Sequence, residues 1–213
     1  MPIVDVKFSI QGKTIPVDHG YSLFSAVSHV VPELHGDDEV GVHPISGPLA
    51  GDRTQIVTER SVLSIRLPSD RIAQVLPLAG KSLRMEGHEI RVGVPNTCAL
   101  IPAPRLYSRL VVIKGFMEPE SFLQAVQRQL DSMDIKGRPF LVEQADVAEV
   151  NRDAKSGTRS PVLRRTIRIR DKEIVGFALR VEELTAEESI LLQEKGIGGR
   201  RRFGCGIFIP DRR

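Results

Sequence analysis

Histidine is the residue type in this sequence that is best suited to proton transfer near neutral pH. The chain of 213 residues contains five histidines: His19, His29, His35, His43 and His88. The sequence around His19, His29 and His88 favours a turn, the polar side of a helix and a hairpin turn, respectively. His35 follows a predicted helix and His43 lies on the next predicted strand. The residues alone leave His19, His35 and His43 open as candidates for a general base or a general acid.

A glycine-rich segment near the C-terminus is the strongest local signal for ligand binding. Residues 196–210 read GIGGRRRFGCGIFIP, with five glycines in eleven positions: Gly196, Gly198, Gly199, Gly204 and Gly206. Such loops can present backbone N–H groups to phosphates, and Arg200, Arg201 and Arg202 add charged donors. The spacing GxxxxGK[ST] is absent and the glycines follow a predicted helix, which excludes a P-loop and a Rossmann fingerprint. The alternative is a tight helix-to-strand connection with a solvent-exposed arginine tip.

Basic residues are concentrated in the second half of the chain. Residues 105–213 contain 21 basic and 16 acidic residues, whereas residues 1–104 contain nine and 11. If residues 164–170 form a strand, Arg164, Arg168 and Arg170 share one face and Arg165 points the other way. This pattern predicts a polyanionic partner, with nucleic acid the leading candidate, and a solvated edge strand is the alternative. Aromatic residues make up only 5% of the chain, which favours phosphate contacts over base stacking.

The order of predicted elements repeats once along the chain. The first half is read as β-α-β-β-α-β, with elements over 3–10, 21–34, 39–45, 55–67, 68–76 and 81–94. The second half repeats this order, with a strand over 108–114 and a helix over 119–134 that has Pro119 at its first turn. A strand over 139–147 and a polar loop over 148–161 follow. The remaining elements are a hairpin over 164–184, a helix over 185–195 that starts at a capping box, and a strand over 205–210.

This duplication predicts an α+β fold of tandem ferredoxin-like (βαββαβ) units. The proline-containing stretch 95–104 is read as a linker or an extended crossover. We therefore expect an N-terminal domain over 1–104 that carries the candidate histidines. The C-terminal domain over 105–213 would carry the basic hairpin and the glycine-rich loop.

Composition excludes several classes of protein. With 41% apolar and 27% charged residues the chain is of ordinary globular type, and no apolar run approaches the ~20 residues of a membrane span. No secretory signal is recognisable at the N-terminus. The two cysteines, Cys98 and Cys205, form no CxxC motif, which fits the reducing cytoplasm. No metal-ligand constellation stands out and no cofactor is predicted, although scattered acidic residues leave magnesium open.

The glycine-rich segment, after two such units, resembles the RAMP superfamily of CRISPR-associated proteins. Within that superfamily the chain looks most like the Cas6 repeat-processing endoribonucleases of the Myxan-type branch. The resemblance covers nearly the whole chain. The stretches that carry it are DHGY at 18–21, LH at 34–35, GVHPI at 41–45, LPLAGK at 76–81 and the segment 196–210.

The resemblance implies cleavage of CRISPR precursor RNA within its repeats, and a repeat that folds as a stem-loop would fit the basic face. RNA supplies its own 2′-OH nucleophile, so acid–base catalysis without a metal is sufficient. Members of the family commonly place a catalytic histidine after a leucine, which favours His35 over His43. A helix tyrosine is frequent near that site, and Ser28 occupies the corresponding position here. The alternative is a non-catalytic RAMP subunit that holds guide or repeat RNA, and other CRISPR-associated effector subunits are possible partners in either case.

Overall fold

The computed structural model describes residues 1–143 and 162–211, which form two compact units. Unit 1 consists of Met1–Leu100, Ile167–Glu173 and Arg200–Gly204, and the other described residues belong to unit 2. Two short segments from the second half of the chain thus pack with the first half. No helix among the described residues has both the length and the apolar composition needed to cross a membrane.

Unit 1 is built on an antiparallel sheet with the strand order β3-β6-β1-β8-β7. Its strands are β1 (Ile3–Gly12), β2 (Thr14–Pro16), β3 (Gly41–Val42), β4 (Leu49–Gly51), β5 (Thr54–Ile56), β6 (Val62–Pro68), β7 (Ser82–Met85) and β8 (His88–Ala99). The helices are α1 (Gly20–Val30), α2 (Ile72–Val75) and short 3-10 turns at Pro32–Leu34, Ser69–Arg71, Leu76–Leu78 and Arg201–Phe203. The neighbours β3-β6-β1-β8 are those of a ferredoxin-like βαββαβ unit, with β7 added at the edge. Strands β2, β5 and β4 form a separate small sheet.

Alternation along β1 divides the main sheet of unit 1 into an apolar face and a polar face. Val4, Val6 and Phe8 point into a core shared with Leu23 and Val27 of α1. Side chains between them point the opposite way, because successive residues of a strand face opposite sides. Asp5 lies on that opposite face and stands across from Arg66 in the β1–β6 ladder.

Several element boundaries in unit 1 differ from the sequence-based expectations. The strand predicted over 55–67 is two strands, β5 and β6, which belong to different sheets. The predicted linker over 95–104 begins only after Ala99, because β8 continues through Pro95, which pairs with Phe8 beside a shift in register. Proline cannot donate a ladder hydrogen bond, and such irregular positions are where strands accommodate it. Pro32 ends α1 as predicted, at Val30 rather than Leu34.

Unit 2 is built on a sheet with the order β10-β12-β9-β13, and β11 pairs with β12. Its elements are β9 (Leu106–Val111), α3 (Pro119–Ser132), β10 (Arg138–Leu141), β11 (Arg164–Ile169), β12 (Lys172–Glu182), α4 (Ala186–Lys195) and β13 (Ile209–Pro210). This order again matches the ferredoxin-like pattern, and the predicted α+β class is confirmed. The strand predicted over 139–147 corresponds to β10, which ends at Leu141. Residues 144–147 and the predicted loop over 148–161 lie outside the described residues.

The helix starts of unit 2 follow the local sequence signals. Pro119 lies in the first turn of α3, where its missing N–H costs nothing. At α4 the Glu188 N–H donates to Thr185 Oγ1 at 3.2 Å, and the Thr185 N–H donates to Glu188 Oε2 at 2.8 Å. The predicted capping box is therefore confirmed.

Candidate functional site

His35 ends the 3-10 turn that follows α1, and its side chain is exposed. Its N–H donates to the Pro32 carbonyl at 2.9 Å, and the preceding Leu34 is fully buried. Gly36 turns the chain immediately afterwards with φ +82°, in the left-handed region that favours glycine. His35 therefore stands at the start of a surface loop, where a large substrate can reach it.

His43 lies directly after β3 and is mostly buried. Its Nε2 is 3.3 Å from Oδ1 of Asp5, and its side chain is 13% exposed. Arg66 donates to the same carboxylate twice, from Nε to Oδ1 at 2.8 Å and from Nη2 to Oδ2 at 3.0 Å. Three adjacent strands thus bring His43, Asp5 and Arg66 together, and we call these three residues the polar cluster.

The polar cluster has strongly shifted ionisation. Burial raises the pKa of Asp5, but hydrogen bonding and charge from His43 and Arg66 outweigh it and hold that pKa well below its usual range. Burial lowers the pKa of His43, and the nearby positive charge of Arg66 adds to this effect while Asp5 opposes it. His43 is therefore neutral at neutral pH, and a proton on its ring is disfavoured.

Arg201 lies near the polar cluster, whereas Arg200 and Arg202 have other surroundings. Burial lowers the pKa of Arg201 to about 10, and repulsion from Arg66 adds to the effect, with Asp5 and Glu39 opposing it. Arg200 is exposed and has a left-handed backbone, with φ +70°. Arg200 and Arg201, predicted as parts of one phosphate-binding run, thus have different environments.

Aromatic packing holds the 3-10 turn Arg201–Phe203 against α1. The ring centroid of Phe203 is 5.6 Å from that of Tyr21 and 5.5 Å from that of Phe24. The guanidinium of Arg202 lies 5.2 Å from the Phe203 centroid, and its Nη1 is 3.3 Å from Oδ1 of Asp38. This side chain is therefore held by a ring and a carboxylate.

The glycines of the segment 196–210 make hydrogen bonds within the protein. Their N–H groups all donate within the chain: Gly196 to Leu192 O, Gly198 to Gln129 Oε1, Gly199 to Val112 O, Gly204 to Arg201 O and Gly206 to Leu110 O. A Cβ at Gly206 would lie 2.2 Å from the Ile197 carbonyl oxygen. Gly198, Gly204 and Gly206 are needed for close packing. Contact of the five glycines with RNA stays a prediction.

The basic hairpin alternates as predicted, with Arg164, Arg168 and Arg170 exposed and Arg165 half-buried. The hairpin tip belongs to unit 1: the Arg168 N–H donates to Asp18 Oδ2 at 2.7 Å, and Arg170 Nε donates to Tyr21 Oη at 3.4 Å. Arg168 and Arg170 therefore belong to the same unit as both candidate histidines and Arg200–Arg202.

Arg164 belongs to unit 2, unlike Arg168 and Arg170. Its Nη2 is 3.4 Å from Oε2 of Glu118, and its guanidinium lies 5.6 Å from the ring centroid of Phe177. Arg164 thus shares a strand face with Arg168 and Arg170 but has different side-chain contacts.

Sequence reasoning missed Asp5 and Arg66. Each is a charged residue between two apolar residues of a strand, which is the ordinary pattern of a half-buried strand and gives no sign of partnership. Their pairing depends on the register of β1 and β6, across 61 residues of sequence. The turn role expected for His19 is correct, since its Nδ1–H donates to the Pro16 carbonyl at 2.7 Å and its Nε2 accepts from the Ile45 N–H at 2.9 Å.

A family model and a relative of known family both match almost the whole chain. The family model described as Cas6 Crispr matches residues 4–213. A CRISPR-associated endonuclease Cas6 from Myxococcus xanthus (strain DK1622) is 36% identical over 213 residues, which cover all of this chain and 84% of that protein.

Solved structures show the same fold at low sequence identity. A structure from the characterization of a Cas6-related gene from Pyrococcus furiosus matches with a TM-score of 0.66 and 12% identity, over 99% of this chain and 100% of that chain. A structure described as an RAMP protein binding different RNA substrates matches with a TM-score of 0.63 and 12% identity, over 97% and 98%.

Proposed function

The chain belongs to the Cas6 family, and we propose that it is an endoribonuclease that cleaves CRISPR precursor RNA within the repeats and so produces mature guide RNA. We propose further that the reaction proceeds by acid–base catalysis without a metal ion. The family membership supports the substrate class and the type of reaction. The finer mechanism is supported by the residues gathered in unit 1.

One observation carries the proposal: unit 1 contains both candidate histidines and the arginines of two distant segments. His35 and His43 come from the first half of the chain, whereas 167–173 and 200–204 come from the second half. A ribonuclease without a metal needs proton-transfer groups together with fixed positive charge near the phosphate. Unit 1 supplies both kinds of group.

The reaction is a transesterification at phosphorus. A base removes the proton from the 2′-OH, and the resulting oxygen forms a bond to the adjacent phosphorus. The bond between phosphorus and the 5′-oxygen of the next nucleotide breaks, and an acid protonates that oxygen. The products are a 2′,3′-cyclic phosphate and a 5′-OH. His35 is the leading candidate for proton transfer because it is exposed and follows Leu34, and His43 is the second candidate.

Binding of the repeat RNA is assigned to the exposed arginines of the hairpin and the glycine-rich segment. Arg168, Arg170 and Arg200 are exposed in unit 1, so their charges are available to phosphates. Arg164, in unit 2, would add a further phosphate contact. Arg202 would also contact phosphate, with its guanidinium packed on the Phe203 ring.

Cleavage of labelled repeat RNA in excess EDTA tests the proposal. The wild-type chain should cleave and leave 2′,3′-cyclic phosphate and 5′-OH ends. His35→Ala should slow single-turnover cleavage by about 10²–10⁴-fold and change RNA affinity far less, because the proton transfer matters mainly in the transition state. A larger effect of His43→Ala would make His43 the principal group.

Three outcomes would contradict the proposal. Near-wild-type cleavage by the His35→Ala/His43→Ala double variant would exclude the histidine mechanism. Loss of cleavage in EDTA that magnesium restores would show a metal-dependent nuclease. Tight binding of repeat RNA without cleavage under any condition would show a non-catalytic RAMP subunit.

A further inference from the structure

The loop that carries His35 is short and strongly acidic. Residues 37–39 read Asp-Asp-Glu, and the loop lies between two fully buried residues, Leu34 and Val40. An exposed histidine in a surface loop has no fixed position of its own, whereas proton transfer requires accurate placement of the ring. The contacts of the loop with its surroundings therefore decide how well His35 can work.

Asp37 is the residue of this loop that is most firmly held. Its Oδ2 accepts a hydrogen bond from Arg71 Nη2, and the two side chains are only 15% and 20% exposed. Its Oδ1 accepts from the Glu39 N–H at 2.9 Å, which closes a turn within the loop. Hydrogen bonds from Arg71 and from the Glu39 backbone outweigh burial and hold the pKa of Asp37 below its usual value. This carboxylate thus joins the loop to a second element.

The side chain of Arg71 is held by a hydrogen bond within its own helical segment. Arg71 ends the 3-10 turn Ser69–Arg71 that leads into α2, and its Nε donates to Gln74 Oε1 at 3.1 Å. Its Nη1 lies 3.7 Å from Oε2 of Glu39, so the guanidinium contacts the loop at two positions. An arginine whose guanidinium is oriented by a neighbouring side chain can hold a carboxylate in one place.

We propose that Arg71 is a positioning residue of the cleavage reaction, which holds the His35 loop through its ion pair with Asp37. Arg71 would not contact the RNA. It would keep Asp37, two residues after His35, against α2 and so restrict the path of the backbone at His35. This inference rests on the proposed function, and in particular on His35 as the group that transfers a proton.

Variants of the pair separate positioning from folding and from RNA binding. Arg71→Gln keeps a polar side chain but removes the charge, and Asp37→Asn keeps an acceptor for the Glu39 N–H while removing the ion pair. We expect each to slow single-turnover cleavage by about tenfold to 100-fold, the scale of a small misplacement of a catalytic group. RNA affinity should remain near the wild-type value, and Arg71→Lys should recover part of the rate. The melting temperature should fall, because a mostly buried ion pair is lost, but each variant should remain folded at the assay temperature. The Arg71→Gln/Asp37→Asn double variant should be no slower than either single variant, because both substitutions remove the same ion pair.

Arg84→Gln is the matched control, because it removes an arginine of unit 1 whose exposed ion pair with Glu89 lies on the β7–β8 hairpin. Its cleavage rate should equal that of the wild type, since such surface pairs contribute little.

Imidazole in the buffer supplies a readout that is independent of loop position. A diffusible base can partly replace the side chain that His35→Ala removes, and its reaction does not depend on how the loop is held. The rescued rate of His35→Ala/Arg71→Gln should therefore equal that of His35→Ala. Lower rescue in the double variant would show that Arg71 acts on RNA binding or folding and would overturn the inference.

The failure of this inference and that of the proposed function give different results. Wild-type cleavage together with undiminished rates for Arg71→Gln and Asp37→Asn would overturn the positioning role alone. A wild-type chain that cleaves no repeat RNA would overturn the proposed function and the inference with it. If Arg71→Gln fails to fold, Asp37→Asn decides the question.

Discussion

The side chain of His43 is mostly buried, and its surroundings favour the neutral form. It shares the Asp5 carboxylate with Arg66, and the cationic guanidinium already balances that negative charge at 2.8 and 3.0 Å. A second positive charge on a mostly buried ring would be costly, which is why burial lowers the pKa of His43. Asp5 and Arg66 thus form the charged pair, and His43 is the neutral neighbour.

The free energy of unfolding should therefore fall as the pH drops from 7.0 to 5.5. The unfolded chain binds a proton at His43 with a pKa of about 6.5, and the folded chain binds it only at lower pH. This residue can contribute a slope of at most about 1.4 kcal/mol per pH unit in that window. Asp5, whose pKa is lowered, adds no slope there, because its contribution is lost only below about pH 4.

Urea unfolding at several pH values measures this slope. His43→Gln should flatten it, whatever the variant does to stability at pH 7. His29→Gln is the control, because His29 is exposed on α1 and its replacement should leave the slope unchanged. A wild-type slope in His43→Gln would show that the ring is not held neutral in the folded state.

The N-terminal end of α1 is the element that receives both distant segments of unit 1. Phe203 packs on Tyr21 and Phe24, and the hairpin tip is held through Asp18. Gly20 is the point of closest approach, since a Cβ there would lie 2.5 Å from the Phe203 carbonyl oxygen and 2.8 Å from Ile167 Cδ1. The absence of a side chain at Gly20 is what allows the two segments to reach the helix.

Gly20→Ala should therefore lower the free energy of unfolding by about 1–3 kcal/mol, despite the better helix propensity of alanine. The carbonyl contact involves backbone, so it cannot be relieved by rotating a side chain. Urea unfolding gives the value, with Gly199→Ala as a control, because a Cβ at Gly199 would meet no atom within 4 Å. A stabilised Gly20→Ala would contradict the close packing of these segments.

At the scale of the whole molecule, we expect RNA affinity to depend on where the charges lie more than on the net charge. The formal net charge is only +3, and exposed charges such as those of Arg84, Lys136 and Arg138 are paired with nearby carboxylates. Arg168, Arg170 and Arg200 are exposed members of unit 1 that come from the basic half of the chain. We expect these arginines to supply much of the salt-dependent affinity for RNA.

The salt dependence of RNA binding tests this expectation. Replacement of Arg168, Arg170 and Arg200 by glutamine should reduce the slope of log K against log salt by about 2–3, roughly 0.7–0.9 for each phosphate that the protein no longer neutralises. Replacement of Lys81, Arg84 and Arg91 by glutamine is the matched control, because it removes the same charge from exposed positions on and beside the β7–β8 hairpin. Equal slopes for the two triple variants would reject specific phosphate binding by the first set.

Local signals in the sequence were sufficient to predict much of the fold. The capping box at Thr185 and Glu188, the helix start at Pro119 and the alternation along 164–170 are all correct, because each depends on residues a few positions apart. The same holds for the repeated order of elements, which predicted two ferredoxin-like units. Boundaries were less accurate where a partner strand decides them, as at Pro95 in β8.

The candidate site was only partly predictable. The residue types and the resemblance pointed to His35, His43 and the arginines, and their roles in catalysis and RNA binding remain predictions. Tertiary structure alone decided that Asp5 meets His43, that Asp37 meets Arg71 and that Asp38 meets Arg202. These partners lie up to 164 residues apart. Whether such side chains meet depends on strand register and on how loops pack, and a charged residue looks the same in the sequence whether it faces solvent or a buried partner.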